Sequence, residues 1–282
     1  MKFGLVNQDG RAAICRDGRV YDLERASGGT LSTDPMRALA EWEAVLSWAE
    51  DLGPDVDHEP LEERRLAPPV PAPQKVFGVG LNYHDHAEEA GLQIPKEPLI
   101  FTKFPSCLTG PHGDVRLSSN RVDWEAELVV VIGRGGRDIA EADVRSRIAG
   151  FCVGQDISDR RLQFNGKPPQ FSMGKSIDTF GPLGPAVVPL SLLEDPDDLA
   201  IRCEVSGEVM QDGRTSRMIF GVTELVSWLS RHCTLLPGDL IFTGTPAGVG
   251  SVREPRRYLE PGDEIVTTIS GLGTLRNRCV QR

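Results

Sequence analysis

The sequence predicts an α+β, mostly β fold, with a small N-terminal α/β module (residues 1–70) ahead of a larger domain (71–282). Strand-like segments recur along the larger part with only short helical segments among them. The helices do not alternate regularly with the strands, which argues against a doubly wound parallel sheet. Between the two parts, Ala67-Pro-Pro-Val-Pro-Ala-Pro73 reads as a stiff, extended linker.

In chain order, Lys2 to Val6, Ala12 to Cys15 and Val20 to Leu23 read as short strands, and Asp9-Gly10 and Asp17-Gly18 are two-residue hairpin turns between them. Pro35 to Leu52 reads as an amphipathic helix with Leu39, Trp42, Leu46 and Ala49 on one face. Beyond the linker, Val76 to Val79 and Leu99 to Lys103 read as strands and Tyr83 to Ala90 as a short helix. Gly150 to Asp156 and Leu199 to Val205 follow as strands, then Phe220 to Ser230 as a helix. Pro-Gly-Asp turns at 237–239 and 261–263 launch the strands Leu240 to Thr243 and Glu264 to Ser270, and Gly271-Leu-Gly273 closes a last hairpin.

The chain has 282 residues and a formal net charge of −10. An acidic balance argues against a nucleic-acid footprint or a basic membrane-binding surface. Six cysteines stand at least thirty residues apart with no Cys-x-x-Cys, so neither a zinc knuckle nor a disulfide framework is indicated. No signal peptide is evident, and no apolar run approaches the ~18 residues of a membrane span. A soluble, cytoplasmic protein with reduced thiols is the expectation.

The chemistry gathers in a few places. Glu125 and Glu127 open the most apolar stretch, Leu128 to Ile132. In a strand, positions two apart share a face, so the two carboxylates would converge beside a buried run. Either that face is wet and both are solvated, or a cation sits between them. Asp156 ends the apolar segment from Gly150 and supplies a third carboxylate. An all-oxygen set without His or Cys suits Mg²⁺ or Mn²⁺, with Ca²⁺ also compatible, and not zinc.

On a helix after Tyr83, His86 and Glu89 lie three apart and can touch. A carboxylate that orients an imidazole makes a usable general base, although exposed pairs of this kind are also common without a role. Gly78-x-Gly80 lacks the context of a dinucleotide site, and Gly174-Lys175-Ser176 lacks the leading glycine of a phosphate-binding loop. Gly244-Thr-Pro-Ala-Gly-Val-Gly250 is either a tight loop or a loop whose amides approach an anion.

Taken together, Gly80-Leu-Asn-Tyr-His-Asp-His86, Glu125-Ala-Glu127, Gly154-Gln-Asp156, Gly174-Lys-Ser-Ile-Asp-Thr-Phe-Gly-Pro-Leu-Gly-Pro185 and Phe242-Thr-Gly-Thr-Pro-Ala-Gly-Val-Gly250 resemble, in order, the motifs of the fumarylacetoacetate hydrolase superfamily. They span the chain from about residue 74 to its end. The resemblance implies a mixed β-sandwich roll, usually a homodimer, binding Mg²⁺ or Mn²⁺ through Glu125, Glu127 and Asp156. It implies a His86–Glu89 pair on a lid, and substrate-facing roles for Arg160, Gln163, Lys175 and Thr245. Two positions depart from the pattern. Leu81 stands where some acylpyruvate-cleaving members carry Arg, and Arg160-Arg161 where many have Arg-Asp.

The reaction implied first is hydrolysis of a C–C bond in a 2,4-dioxo acid of the acylpyruvate or fumarylpyruvate type, giving pyruvate and a carboxylic acid. His86, Glu89 and Lys175 would be the catalytic groups. The same enolate chemistry also serves an isomerase, an oxaloacetate decarboxylase or a 3-deoxy-2-oxo sugar acid dehydratase. A non-catalytic, metal-dependent binding protein is a further reading. The partner expected in every case is a small 2-oxo acid, with no nucleic acid and no membrane.

Overall fold

A computed structural model describes residues 3–53 and 55–282; Lys2, the first residue of the expected opening strand, lies outside them. The chain is mostly β, with one large mixed sheet and one five-stranded sheet. Both Asp-Gly turns form as the sequence requires. Asp9 and Gly10 take φ of 53° and 83°, Asp17 and Gly18 take 51° and 76°, and the flanking pairs are Gln8 with Arg11 and Arg16 with Arg19. Positive φ at both central residues gives the turn whose twist matches that of the strands.

The expected helix at 35–52 divides in two, Pro35–Ala40 and Trp42–Glu50. Asp34 caps the first by accepting from the Met36 and Arg37 amides, and the chain bends at Glu41. Val45, not Leu46, is the wholly buried residue between Trp42 and Ala49. The proline-rich segment is extended but is no free spacer. Leu66 and Ala67 pair with Gln8 and Asn7, the Asn7 side chain donates to the Pro68 carbonyl, and Val70 is fully buried.

The large sheet runs through the strands Arg19–Asp22, Arg11–Arg16, Gly4–Gln8, Gly181–Val188, Ile148–Gln155, Ala126–Ile132, Leu240–Phe242, Val76–Gly80 and Leu99–Lys103 in that spatial order. The N-terminal strands thus extend the same sheet that carries the central apolar run, joined at Leu5 opposite Val187. Ala126–Ile132 is buried on both faces, which is why it reads as a continuous apolar stretch. Leu128, Val130 and Ile132 pack toward the five-stranded sheet and the helix Val222–His232, while Val129 and Val131 pack with Leu39, Trp42 and Val45 of the N-terminal helices.

Candidate active site

Strand register builds the site. Glu127 lies opposite Gly154 across the antiparallel pair Ala126–Ile132 and Ile148–Gln155, and the Asp156 amide donates to the Glu125 carbonyl at 2.9 Å. A side chain at Gly154 would collide with Val129 and Phe242, so glycine is required for the strands to approach there. The result is that Glu125, Glu127 and Asp156 each offer an oxygen within 4.8 Å of the others. They are 7%, 1% and 0% exposed, which excludes the solvated reading of the pair.

Cations enclose this trio on one side. Lys175 Nζ donates to Asp156 Oδ2 at 2.6 Å, Glu125 Oε2 at 2.7 Å and Ser158 Oγ at 2.8 Å. Arg160 bridges Glu125 Oε1 at 2.7 Å and Asp123 Oδ2 at 2.8 Å, and donates to Gln163 Oε1 at 3.0 Å. Lys103 Nζ holds Asp156 Oδ1 at 2.6 Å. Burial disfavours the Glu125 carboxylate, but Lys175 and Arg160 outweigh it and pull the group below the usual range.

Glu127 is different. Among the described residues no ion pair reaches it, and its carboxylate accepts only the Gly244 amide, at 2.9 Å. Burial, then Asp156 and Glu125, hold its acid well above the ordinary carboxyl value. A buried carboxyl crowded by two others, with one amide donor and no ion pair, is an incomplete arrangement. Three hard oxygen donors at this spacing, one lacking a counter-charge, fit a divalent cation.

The loop after the strand Leu240–Phe242 turns its amides onto the protein's own carboxylates. Gly244 N–H meets Glu127, Gly248 N–H meets Glu89, and Gly250 and Ser251 N–H meet Asp123 at 2.7 and 3.0 Å. The sequence led one to expect either an empty turn or an amide cradle for an outside anion. Gly244 and Gly248 take φ of 97° and 105°, a region closed to most side chains.

His84–Ala90 is helical and ends at Gly91 in the left-handed conformation. His86 Nδ1 lies 3.5 Å from Glu89 Oε2, buried and without an aligned hydrogen bond, while His84 faces solvent. Burial alone would raise the Glu89 carboxyl, but His86 and the Gly248 amide bring it below its usual value. His86, Glu125, Arg160, Gln163, Lys175 and Thr245 line a cavity of ≈180 Å³, together with Leu81, Leu92, Phe164 and Phe171. That is below the ~300–1,000 Å³ of sites for drug-sized ligands and suits a small acid. Thr245 is present at the wall with its hydroxyl engaged, donating to Ala126 O at 2.8 Å and accepting from Gln211 at 2.7 Å.

Sequence reading missed Asp123 and Lys103. Asp123 is fully buried and accepts from Arg160 and two loop amides. The alternation that joins Glu125 to Glu127 runs back to it and was the available signal. Lys103, 1% exposed, shares the buried face of its strand with Phe101, also by alternation.

Residues 75–280 match the family profile described as fumarylacetoacetate (FAA) hydrolase, C-terminal. The mitochondrial oxaloacetate tautomerase FAHD2A of Bos taurus is 43% identical over 266 residues, covering 93% of this chain and 84% of its own. A crystal structure of a Mycobacterium smegmatis protein provisionally assigned as HpcE superposes with a TM-score of 0.91 at 46% identity, over 98% of this chain and 99% of that one. Maleylpyruvate hydrolase from Sphingobium sp. SYK-6, solved with manganese(II) and pyruvate, gives 0.82 at 27% identity over 99% of each chain. Among the described residues no helix is long and apolar enough to cross a membrane. The fold, the buried carboxylate trio and the matched profile lead to one conclusion: the chain belongs to the fumarylacetoacetate hydrolase family of enzymes.

Proposed function

We propose that this protein interconverts the keto and enol forms of a small 2-oxo diacid, with oxaloacetate the first substrate to test. The observation that carries the reading is that Glu125 of the unbalanced carboxylate trio and His86 of the His86–Glu89 pair line one small cavity. The choice of tautomerisation over C–C hydrolysis is supported by 43% identity to an oxaloacetate tautomerase along nearly the whole chain.

In this reading Glu125, Glu127 and Asp156 hold Mg²⁺ or Mn²⁺. The bound cation supplies Lewis-acid polarisation of the 2-oxo group and offsets the local negative charge. His86 removes a proton from C3, the C–H electron pair becomes the C2–C3 double bond, and the 2-oxygen takes up a proton as the C=O π pair moves onto it. Nothing is consumed. With Nδ1 turned to Glu89, the other ring nitrogen is the one that meets substrate, and Glu89 steadies the imidazolium. The Lys175 ammonium has one neutral acceptor, Ser158, and a substrate oxygen can take that place. Gln163 lends its amide N–H to the substrate, because its carbonyl is held by Arg160. Thr245, with its hydroxyl engaged, acts as wall more than as donor.

Hydrolysis of a 2,4-dioxo acid remains the second reading, favoured by the likeness to a hydrolase solved with pyruvate. Both readings take the active species to be a homodimer, which light scattering measures directly. The deciding assay follows the enol absorbance of freshly dissolved oxaloacetate, and pyruvate release from acylpyruvates, with and without Mn²⁺. Metal-dependent loss of enol faster than in buffer supports the tautomerase. Pyruvate release from acylpyruvates with no effect on the oxaloacetate enol overturns it.

A further inference from the structure

We infer that Lys103, which does not line the cavity, is a positioning residue that fixes Asp156 and Lys175 against each other. The inference rests on the reading of Glu125, Glu127 and Asp156 as metal ligands.

Lys103 closes the strand Leu99–Lys103 and is 1% exposed. An ammonium has three N–H bonds, and three acceptors surround this one. They are Asp156 Oδ1 at 2.6 Å, the Phe180 carbonyl at 3.1 Å and the Lys175 carbonyl. The Phe242 ring lies 5.6 Å from the same nitrogen.

A buried ion pair is a poor device for stability, since replacing both partners with apolar residues of similar volume often does as well or better. Its value here is geometric. Lys103 takes one oxygen of Asp156 and Lys175 Nζ takes the other, at 2.6 Å, so the carboxylate plane is held at both ends. The backbone carbonyl of Lys175 then returns to Lys103. The ring closes through the Lys175 side chain, so both ends of that residue are referred to Asp156. Partners of this kind orient a ligand and set its affinity.

The test uses the full chain with Lys103→Met, Lys103→Gln and Lys103→Arg. Circular dichroism and melting report the fold, electron paramagnetic resonance reports Mn²⁺ affinity, and oxaloacetate tautomerisation gives kcat and KM. Lys103→Met takes one partner from a buried pair, so it is expected to fold with a lowered melting temperature. Its Mn²⁺ affinity should fall roughly 10–100-fold, with kcat falling more than KM rises. Lys103→Arg, which keeps the charge and several donors, should recover part of both. Normal Mn²⁺ affinity and kcat in a folded Lys103→Met protein would overturn the inference. So would a lower melting temperature with both functions intact, the mark of a purely structural residue. If Lys103→Met does not fold, Lys103→Gln is read by the same criteria, and failure of both to fold also counts against a positioning role. Wild-type protein that binds no Mn²⁺ sinks the ligand reading itself, and the kcat–KM split then decides for or against Lys103.

Discussion

Glu89 receives the Gly248 amide on both carboxylate oxygens, at 3.1 and 3.0 Å. The helix that carries His86 is thereby tied to the loop that also holds Glu127 and Asp123. One loop therefore registers the proposed base, the proposed metal site and the anchor of Arg160 together.

Replacing His86 separates binding from chemistry. His86→Ala should lose roughly 10²–10⁴-fold in kcat, the usual worth of a general base. Mn²⁺ affinity should stay near wild type, because His86 is not among the clustered oxygen donors. Steady-state kinetics with a parallel metal titration checks both halves.

The Glu89 carboxyl gives the pH dependence a definite sign. Its folded pKa lies below the reference value of 4.5. The contact with Gly248 therefore contributes its stabilisation fully above that value and loses it as pH falls through the depressed pKa. Hydrogen exchange at the Gly248 amide, corrected for intrinsic rates, should show protection that fades as pH falls below the ordinary carboxyl range and a loss of that pH step in Glu89→Ala.

Glu127 stands without a counter-charge in the metal-free protein. At alkaline pH Glu127→Gln should therefore raise the melting temperature of the metal-free protein by roughly 2–4 °C, the effect of ~1 kcal/mol in a chain of this size. The same variant should lose the stabilisation that Mn²⁺ gives wild type. Calorimetry with and without the ion reads both, and a melting temperature that falls would contradict the charge assignment.

Asp123 is a buried acceptor for Arg160, Gly250 and Ser251. Asp123→Ala leaves those donors without it, although Arg160 keeps Glu125. The expected cost is ~3 kcal/mol in urea unfolding, as for other broken buried pairs. A change under ~1 kcal/mol would mean that solvent or Glu125 replaces it readily.

Leu81 lines the cavity at a φ of 52°. Both cationic residues in that lining, Arg160 and Lys175, already hold carboxylates. Leu81→Arg should therefore lower KM for diacids by about tenfold, worth ~1.4 kcal/mol, with little change for 2-oxo acids that carry an apolar tail. A substrate series read by kcat/KM tests the preference.

Local rules made much of this legible in the sequence. Period-two alternation paired Glu125 with Glu127, and Asp156 stood at the end of its apolar segment, so strand register alone assembled the trio. The Asp-Gly turns fixed two hairpins by backbone conformation. What escaped depended on distant partners. Lys103 meets groups 53, 72 and 77 residues away, and no local pattern says which acceptors a buried lysine will find. The 244–251 amides bind three carboxylates from two other segments, and a glycine-rich loop carries no mark of whose anion it will meet. The split of the 35–52 helix falls at Glu41, where the sequence has no glycine or proline to announce it.

The pairing of Leu5 with Val187 has a consequence for any attempt to trim the protein. Removing residues 1–70 would leave the end of the strand Gly181–Val188 as a bare border of unpaired amides and carbonyls. It would also uncover Val129, Val131 and Val187, which share their packing with Leu5, Ile14, Leu39 and Trp42. Such a border recruits other chains. A shortened catalytic fragment should accordingly clump during expression, and a fusion partner is better attached at the far end, where Gln281 and Arg282 are exposed.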